Sequence, residues 1–187
     1  TLISNKYLLQ FENGVFELPC FMYLRVAIAI CQPSTTFLLQ IFTALSKQEF
    51  TFGTPTLFNA GTKHSQFASC FLMQLQDDSV EGIYATLSQA AKISKHAGGI
   101  GLHMHNLRSR DSLIRSTGCK SQGLMPVLRV FNESSRLVHQ SGKRPGSIAV
   151  YLAIDHADVI DFIDMRKNHG DEDLRCRELF SGLWVCD

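Results

Sequence analysis

The stretch from Gln66 to Leu107, QFASCFLMQLQDDSVEGIYATLSQAAKISKHAGGIGLHMHNL, decides the fold. Gln66 to Leu75 alternates and reads as a strand with Cys70 in its middle. Asp78-Ser79-Val80-Glu81 reads as a helix start, with Asp78 as the cap and Glu81 at the third helical position. Ile83, Leu87, Ala90, Ala91 and Ile93 carry the helical face onward, and Gly98-Gly99 stop it. From Ile100 to Leu107 the period returns to two, with Ile100, Leu102 and Met104 on one face and Gly101, His103 and His105 on the other.

The same alternation continues downstream. Arg108 to Ser121 is polar and reads as a loop. Pro126 suits the first turn of a helix carrying Val127, Val130, Phe131, Ser134 and Val138. Gln140 to Gly146 is a loop rich in breakers, and Ser147 to Ala153 is a short apolar strand consistent with burial on both faces. Asp155 or His156 opens a helix with Val159, Ile160, Phe162 and Ile163, and Leu179 to Val185 is a further apolar strand. Upstream, Asn13-Gly14 between apolar stretches signals a hairpin, a helix is expected over 35–48, and Thr51 to Gly61 reads as loop. Helices alternating with strands argue an α/β fold with parallel strands. Residues 1–50 form a helical and hairpin lead-in, and 51–187 the α/β part.

Eighteen Lys and Arg against 17 Asp and Glu leave a net charge of +1, which argues against a nucleic-acid binder. The 45% hydrophobic and 19% charged fractions suit a globular protein. No run approaches the ~20 apolar residues of a membrane-spanning helix. Six cysteines without a Cys-x-x-Cys spacing read as thiols of a cytoplasmic protein, not a zinc site or disulfide framework. His103 and His105 share a strand face, but with no third ligand in view no metal is expected. The chain opens on Thr1 and ends in an apolar stretch, so both ends are expected to be internal to a longer polypeptide.

Several segments in order carry a resemblance: Pro55-Thr56-Leu57-Phe58-Asn59-Ala60-Gly61-Thr62, Ser69-Cys70-Phe71-Leu72, Asp77 to Tyr84, Ser94-Lys95, Ala97 to Gly101, Gly123-Leu124, Leu128-Arg129-Val130 and Lys143-Arg144-Pro145-Gly146. Together they resemble the large, catalytic subunit of class I ribonucleotide reductase. The resemblance implies an internal piece: the first part of a ten-stranded α/β barrel with mixed helices and mostly parallel strands. It implies reduction of ribonucleoside diphosphates by thiyl-radical chemistry, with a radical-generating small subunit, an external dithiol reductant and a large-subunit homodimer. No cofactor is expected on the segment itself.

By the same resemblance Cys70 is one of the two redox thiols, although a lone strand cysteine read from the residues alone is more often structural. Thr54, Ser69 and Gly98 resemble substrate-site residues, while their local readings are a turn residue, a strand-face hydroxyl and a helix stop. Asp78, Ser79, Val80, Lys95 and Arg108 resemble the site for a deoxynucleoside triphosphate or ATP effector, which can also be read as a helix cap with two solvated cations. Lys95 sits at the far end of the helix from Asp78, so the effector is expected to be shared between subunits, with the subunit served by Arg108 left open. Gln140 and Arg144 belong to the loop that relays effector identity to the substrate.

Three departures bear on control. The 140–146 loop is one residue short of the common eukaryotic form, Arg115-Ser116 replaces a small pair beside the effector phosphates, and Ala153-Ile154-Asp155-His156 replaces Glu-Pro-Trp-His. They keep open a second reading, a catalytically inactive homologue that acts in interaction or nucleotide binding.

Overall fold

The computed structural model describes residues 7–11, 14–63, 65–96, 98–139 and 146–185. The chain divides into two units, Thr1–Ser69 and Cys70–Asp187. Asn13, Gln140 and Arg144 lie outside the described residues.

In the first unit β1 (Gln10–Phe11) and β2 (Gly14–Val15) pair antiparallel, with Gln10 opposite Val15. Three helices follow: α1 (Pro19–Cys31), α2 (Thr35–Ser46) and α3 (Thr54–Asn59). Helix α2 starts where its hydroxyl cap predicts, with Ser34 Oγ accepting from the Phe37 amide at 3.3 Å. Helix α3 occupies a stretch expected to be loop. Pro55 falls in its first turn, where a missing N–H costs nothing.

Val26, Leu45, Leu57 and Ala60 form this unit's apolar core. A buried ion pair runs through it. Arg25 donates to Glu17 from Nε at 2.8 Å and from Nη2 at 3.0 Å, and its remaining N–H groups reach the Ala60 carbonyl at 2.5 Å and the Leu57 carbonyl at 3.3 Å. Glu17 also accepts from the Leu9 amide at 3.0 Å. Arg25 thereby satisfies carbonyls at the C-terminal end of α3, while Glu17 holds the hairpin. Gly61 closes the helix at φ +73°, where a Cβ would lie 2.7 Å from Arg25 Cγ. Thr56 and Asn59 bind the Phe67 and Gln66 carbonyls at 3.2 and 2.7 Å. These contacts keep α3 and the segment to Ser69 with the first unit, so the division falls at 69/70 instead of the expected 50/51.

In the second unit β3 (Cys70–Gln74), β4 (Gly99–His103), β5 (Ile148–Ala153) and β6 (Leu179–Trp184) form one parallel sheet in the order β3-β4-β5-β6. The connections run through α4 (Val80–Lys95), α5 (Leu124–His139) and α6 (Val159–Asp164). This is the expected α/β architecture. Ile100, Leu102, Ile148, Val150, Leu152 and Leu179 bury one sheet face against Ala90, Leu128, Phe131 and Phe162 of the helices. The other face is open: Leu72 is 92% exposed, and Tyr151, Phe180 and Trp184 are also exposed.

The structure corrects four local expectations. Strand β3 begins at Cys70, not Gln66. The cap of α4 is Ser79, whose Oγ accepts from the Gly82 amide at 3.0 Å, because the Asp78 carboxylate is engaged by Arg108. Strand β5 is buried on one face only, with Tyr151 turned outward. Helix α5 buries Leu124, Met125, Leu128, Phe131, Asn132 and Ser135, a stripe rotated from the expected one, and Val130 is exposed. Asn132 tolerates burial because its Oδ1 accepts from the Glu178 amide at 3.0 Å.

Removing one partner of a buried ion pair strands the other charge. Glu17→Ala is therefore expected to destabilise the first unit by about 3–5 kcal/mol, read as a lower urea midpoint and faster amide exchange along α1.

Candidate functional site

Cys70 is the first residue of β3 and is exposed with a free thiol. The alternation of the strand puts it on the open sheet face with Leu72 and Gln74. Parallel pairing sets Cys70 opposite Gly99. Gly98, just before it, has no space for a side chain: a Cβ would meet Ile93 at 2.6 Å and Phe71 at 2.9 Å. From the residues just before β5, a Cβ on Gly146 would stand 3.1 Å from the Gly98 carbonyl, and the Ser147 carbonyl accepts from the Ile100 amide at 2.9 Å. Cys70 thus stands at the strand-start end of the sheet, beside backbone that carries no side chains. Cys176 is its opposite. Burial pushes the Cys176 thiol up to about 11, so it stays protonated and packs as core.

Thr54 and Ser69 belong to the first unit. Thr54 opens α3 with its Oγ1 3.4 Å from the Tyr7 hydroxyl, and Ser69 is the half-buried residue just before β3.

The residues expected to hold an effector gather, with one exception, in a cleft of about 410 Å³. Asp78, Ser79 and Val80 enter it from the turn between β3 and α4, and Arg108 from the loop after β4. Arg108 donates to the Asp78 carboxylate from Nε at 2.5 Å and to the Asp78 carbonyl from Nη2 at 2.9 Å, so within one chain it serves the Asp78 end. Lys95 is the exception. It is the exposed last residue of α4, about 22 Å from Val80 at 1.5 Å per residue.

The opposite wall of the cleft includes Ile114, Ser116, Ser121, Gln122 and Gly123, of which the sequence marks only Ser116, beside the expected effector phosphates. An adjoining hollow of about 420 Å³ adds Leu113 and Arg115 to Asp78 and Arg108. The unusual Arg115-Ser116 pair is the sequence signal for this wall.

A third concavity, a groove of about 710 Å³, lies on the open sheet face toward the strand ends. Its walls include Leu72, His103, His105, Tyr151, Ala153, Asp155 and Trp184. His103 and His105 do face the same side, hydrogen-bonded through Nε2 and Nδ1 with ring centroids 3.8 Å apart. Desolvation, then the neighbouring His105, hold the His103 imidazole below the ordinary histidine value. Among the described residues no group of three or more His, Cys, Asp or Glu could hold a metal ion, and no helix is long and apolar enough to cross a membrane. Sequence reasoning missed this groove as a cavity, although it singled out the histidine pair and the changes at Ala153 and Asp155.

Comparison with known proteins identifies the family. Residues 1–65 match the family described as "Ribonucleotide reductase, all-alpha domain", and residues 68–187 match "Ribonucleotide reductase, barrel domain". Ribonucleoside-diphosphate reductase large chain 2 of Saccharomyces cerevisiae is 48% identical over 186 residues, covering 99% of this chain and 21% of the yeast protein. The large subunit of Arabidopsis thaliana is 48% identical and the large chain of Cryptosporidium parvum 46%, each over 99% of this chain and 23% of the relative. The chain thus spans between a fifth and a quarter of the length of these relatives. The two domain matches meet between residues 65 and 68 of this chain, and it belongs to the ribonucleotide reductase large-subunit family.

Proposed function

We propose that this chain forms part of a large subunit that reduces ribonucleoside diphosphates to deoxyribonucleoside diphosphates. The observation that carries the reading is Cys70: an exposed free thiol at the start of β3, opposite Gly99. In the reaction the ribose 2′ C–O bond breaks, a C–H bond forms, and the hydroxyl leaves as water. Two thiols supply two electrons and two protons and close to a disulfide. Cys70 is one of them. Its partner thiol and the radical-bearing cysteine lie on polypeptide beyond these 187 residues. The small subunit supplies the radical, and an external dithiol reopens the disulfide. Thr54 and Ser69 contribute to the substrate site through hydroxyls, and Gly98 through the tightly packed backbone beside β3.

The Asp78 cleft takes a deoxynucleoside triphosphate or ATP effector. A carboxylate suits ribose hydroxyls, and Arg108 suits phosphate oxygens through its planar fork of donors. Lys95 reaches the same ligand from a second subunit. When α4 helices from two subunits pack antiparallel about a two-fold axis, the end of one lies near the start of the other. Gln140 and Arg144 act in the loop that relays effector identity.

A second reading, a catalytically inactive homologue, draws on Ala153 and Asp155 in the groove wall, where the family carries Glu and Trp. Turnover by the complete protein separates the two.

In the complete protein, Cys70→Ser is expected to abolish turnover with an external dithiol while ribonucleoside diphosphate still binds. Wild-type steady-state turnover in that variant would return Cys70 to a structural role. The isolated 187-residue chain is expected to turn over no substrate. For the effector, sedimentation of the complete protein should show dimerisation driven by thymidine triphosphate through mass action. Arg108→Ala should weaken nucleotide binding about tenfold. Lys95→Ala should weaken both binding and dimerisation, and a Lys95→Ala protein that dimerises normally with the nucleotide would refute the shared site.

A further inference from the structure

We propose that Asp158 is a positioning residue for the Asp78 cleft, holding the far wall of that cleft to the turn after β5. This rests on the effector reading of the cleft and concerns how its wall is fixed.

Asp158 stands at the N-cap of α6, yet its side chain makes no capping bond to that helix. The carboxylate is turned the other way and is 8% exposed. Both of its oxygens accept from the Arg110 amide at 3.1 Å, and Oδ2 also accepts from the Leu124 amide at 2.9 Å. Those two amides lie near the start and just beyond the end of the loop that supplies Ile114, Ser116, Ser121, Gln122 and Gly123 to the cleft.

Gly123 is part of the closure. It adopts φ +78°, and a Cβ there would fall 2.4 Å from Asp158 Oδ2 and 2.6 Å from the Arg110 amide nitrogen. Only a glycine lets the two loop ends close on one carboxylate.

A third anchor comes from His156. Its Nδ1 accepts from the Asp158 amide at 3.1 Å, which fixes the proton on Nε2, and Nε2 donates to the Leu107 carbonyl at 2.8 Å. Leu107, Arg110 and Leu124 are thus all tied to the 156–158 turn. That turn follows β5, so the sheet and the cleft wall share one rigid connection. Capping alone does not explain an N-cap carboxylate that ignores its own helix for backbone 34 and 48 residues away in sequence.

The test titrates thymidine triphosphate into the complete protein carrying this chain, comparing wild type, Asp158→Asn and Phe162→Leu. Phe162 is fully buried on α6 and outside the cleft, so its variant controls for lost stability. Asp158→Asn is expected to weaken the nucleotide about tenfold, because an amide N–H faces backbone N–H groups that need an acceptor. It should also speed amide exchange at Arg110 and Leu124. Phe162→Leu should lower the melting temperature and leave affinity unchanged. His156→Ala, which removes the Leu107 anchor and the acceptor of the Asp158 amide but leaves the carboxylate in place, should shift affinity the same way by a smaller factor, and it stands in should Asp158→Asn not fold. Unchanged affinity in Asp158→Asn and His156→Ala, or an equal loss in Phe162→Leu, overturns the proposal. A wild-type protein that binds no nucleotide overturns the effector reading, and the proposal falls with it.

Discussion

Parallel pairing is the constraint on which the second unit depends. Every strand runs the same way, so all four starts lie at one end of the sheet and all four finishes at the other. Cys70 and Gly98–Gly99 are at or next to starts. Asp78, Arg108, His105, Asp155 and the 156–158 turn all follow finishes. A five-residue strand is about 17 Å long. Cys70 and the Asp78 cleft are therefore at opposite ends of β3, and no single small ligand touches both.

That separation puts weight on how each end is held. At the strand starts the holding is steric. A methyl group on Gly98 would collide with Ile93 and Phe71, and one on Gly146 would crowd the Gly98 carbonyl and Ser94, so the backbone beside Cys70 is packed close by the absence of side chains. At the strand ends it is polar. Asp158 and His156 hold amides and a carbonyl, and Thr86 Oγ1 accepts from the Gln76 amide at 3.1 Å where β3 leads into α4. A packed backbone resists displacement in every direction, whereas hydrogen bonds to one carboxylate break one at a time.

What the sequence made legible follows the range of the interactions. Helix α2, the span of α4 and the two faces of β4 were readable because caps and periodicities act within a few residues. Pro19–Cys31 carries no such mark: its run is apolar nearly all round, and the buried Met22, Val26, Ala27 and Cys31 stand out only once Leu45 and Leu57 pack against that unit's core. The rotated stripe of α5 is another long-range result, since Asn132 becomes a core residue only through the Glu178 amide, 46 residues on. For the site, ordered motifs pointed to Cys70 and Asp78, and local spacing put the two histidines on one face. Of the cleft wall only the Arg115-Ser116 pair was marked in the sequence, and the Asp158 anchor was not legible. Its partners are backbone amides, and no side-chain pattern encodes which amide a carboxylate will meet.

The Arg108–Asp78 pair shows how a cleft can be ordered and still open to a ligand. Its side chains are 32% and 27% exposed, so solvent screens the attraction and the pair contributes about 1 kcal/mol or less. The buried Arg25–Glu17 pair, at 11% and 6%, has no such screening and is committed to the fold. On the proposed reading, a triphosphate competes for the Arg108 guanidinium with more charge than one carboxylate offers, and the exchange costs little. Once Arg108 turns to phosphate, the Asp78 carboxylate is free to accept from ribose hydroxyls. The wall opposite, tied through Asp158 to the end of β5, does not have to reorganise for that exchange. A weak pair facing a fixed wall therefore lets binding energy go into the ligand contacts and into the subunit contact made by Lys95, with little spent on reshaping the cleft.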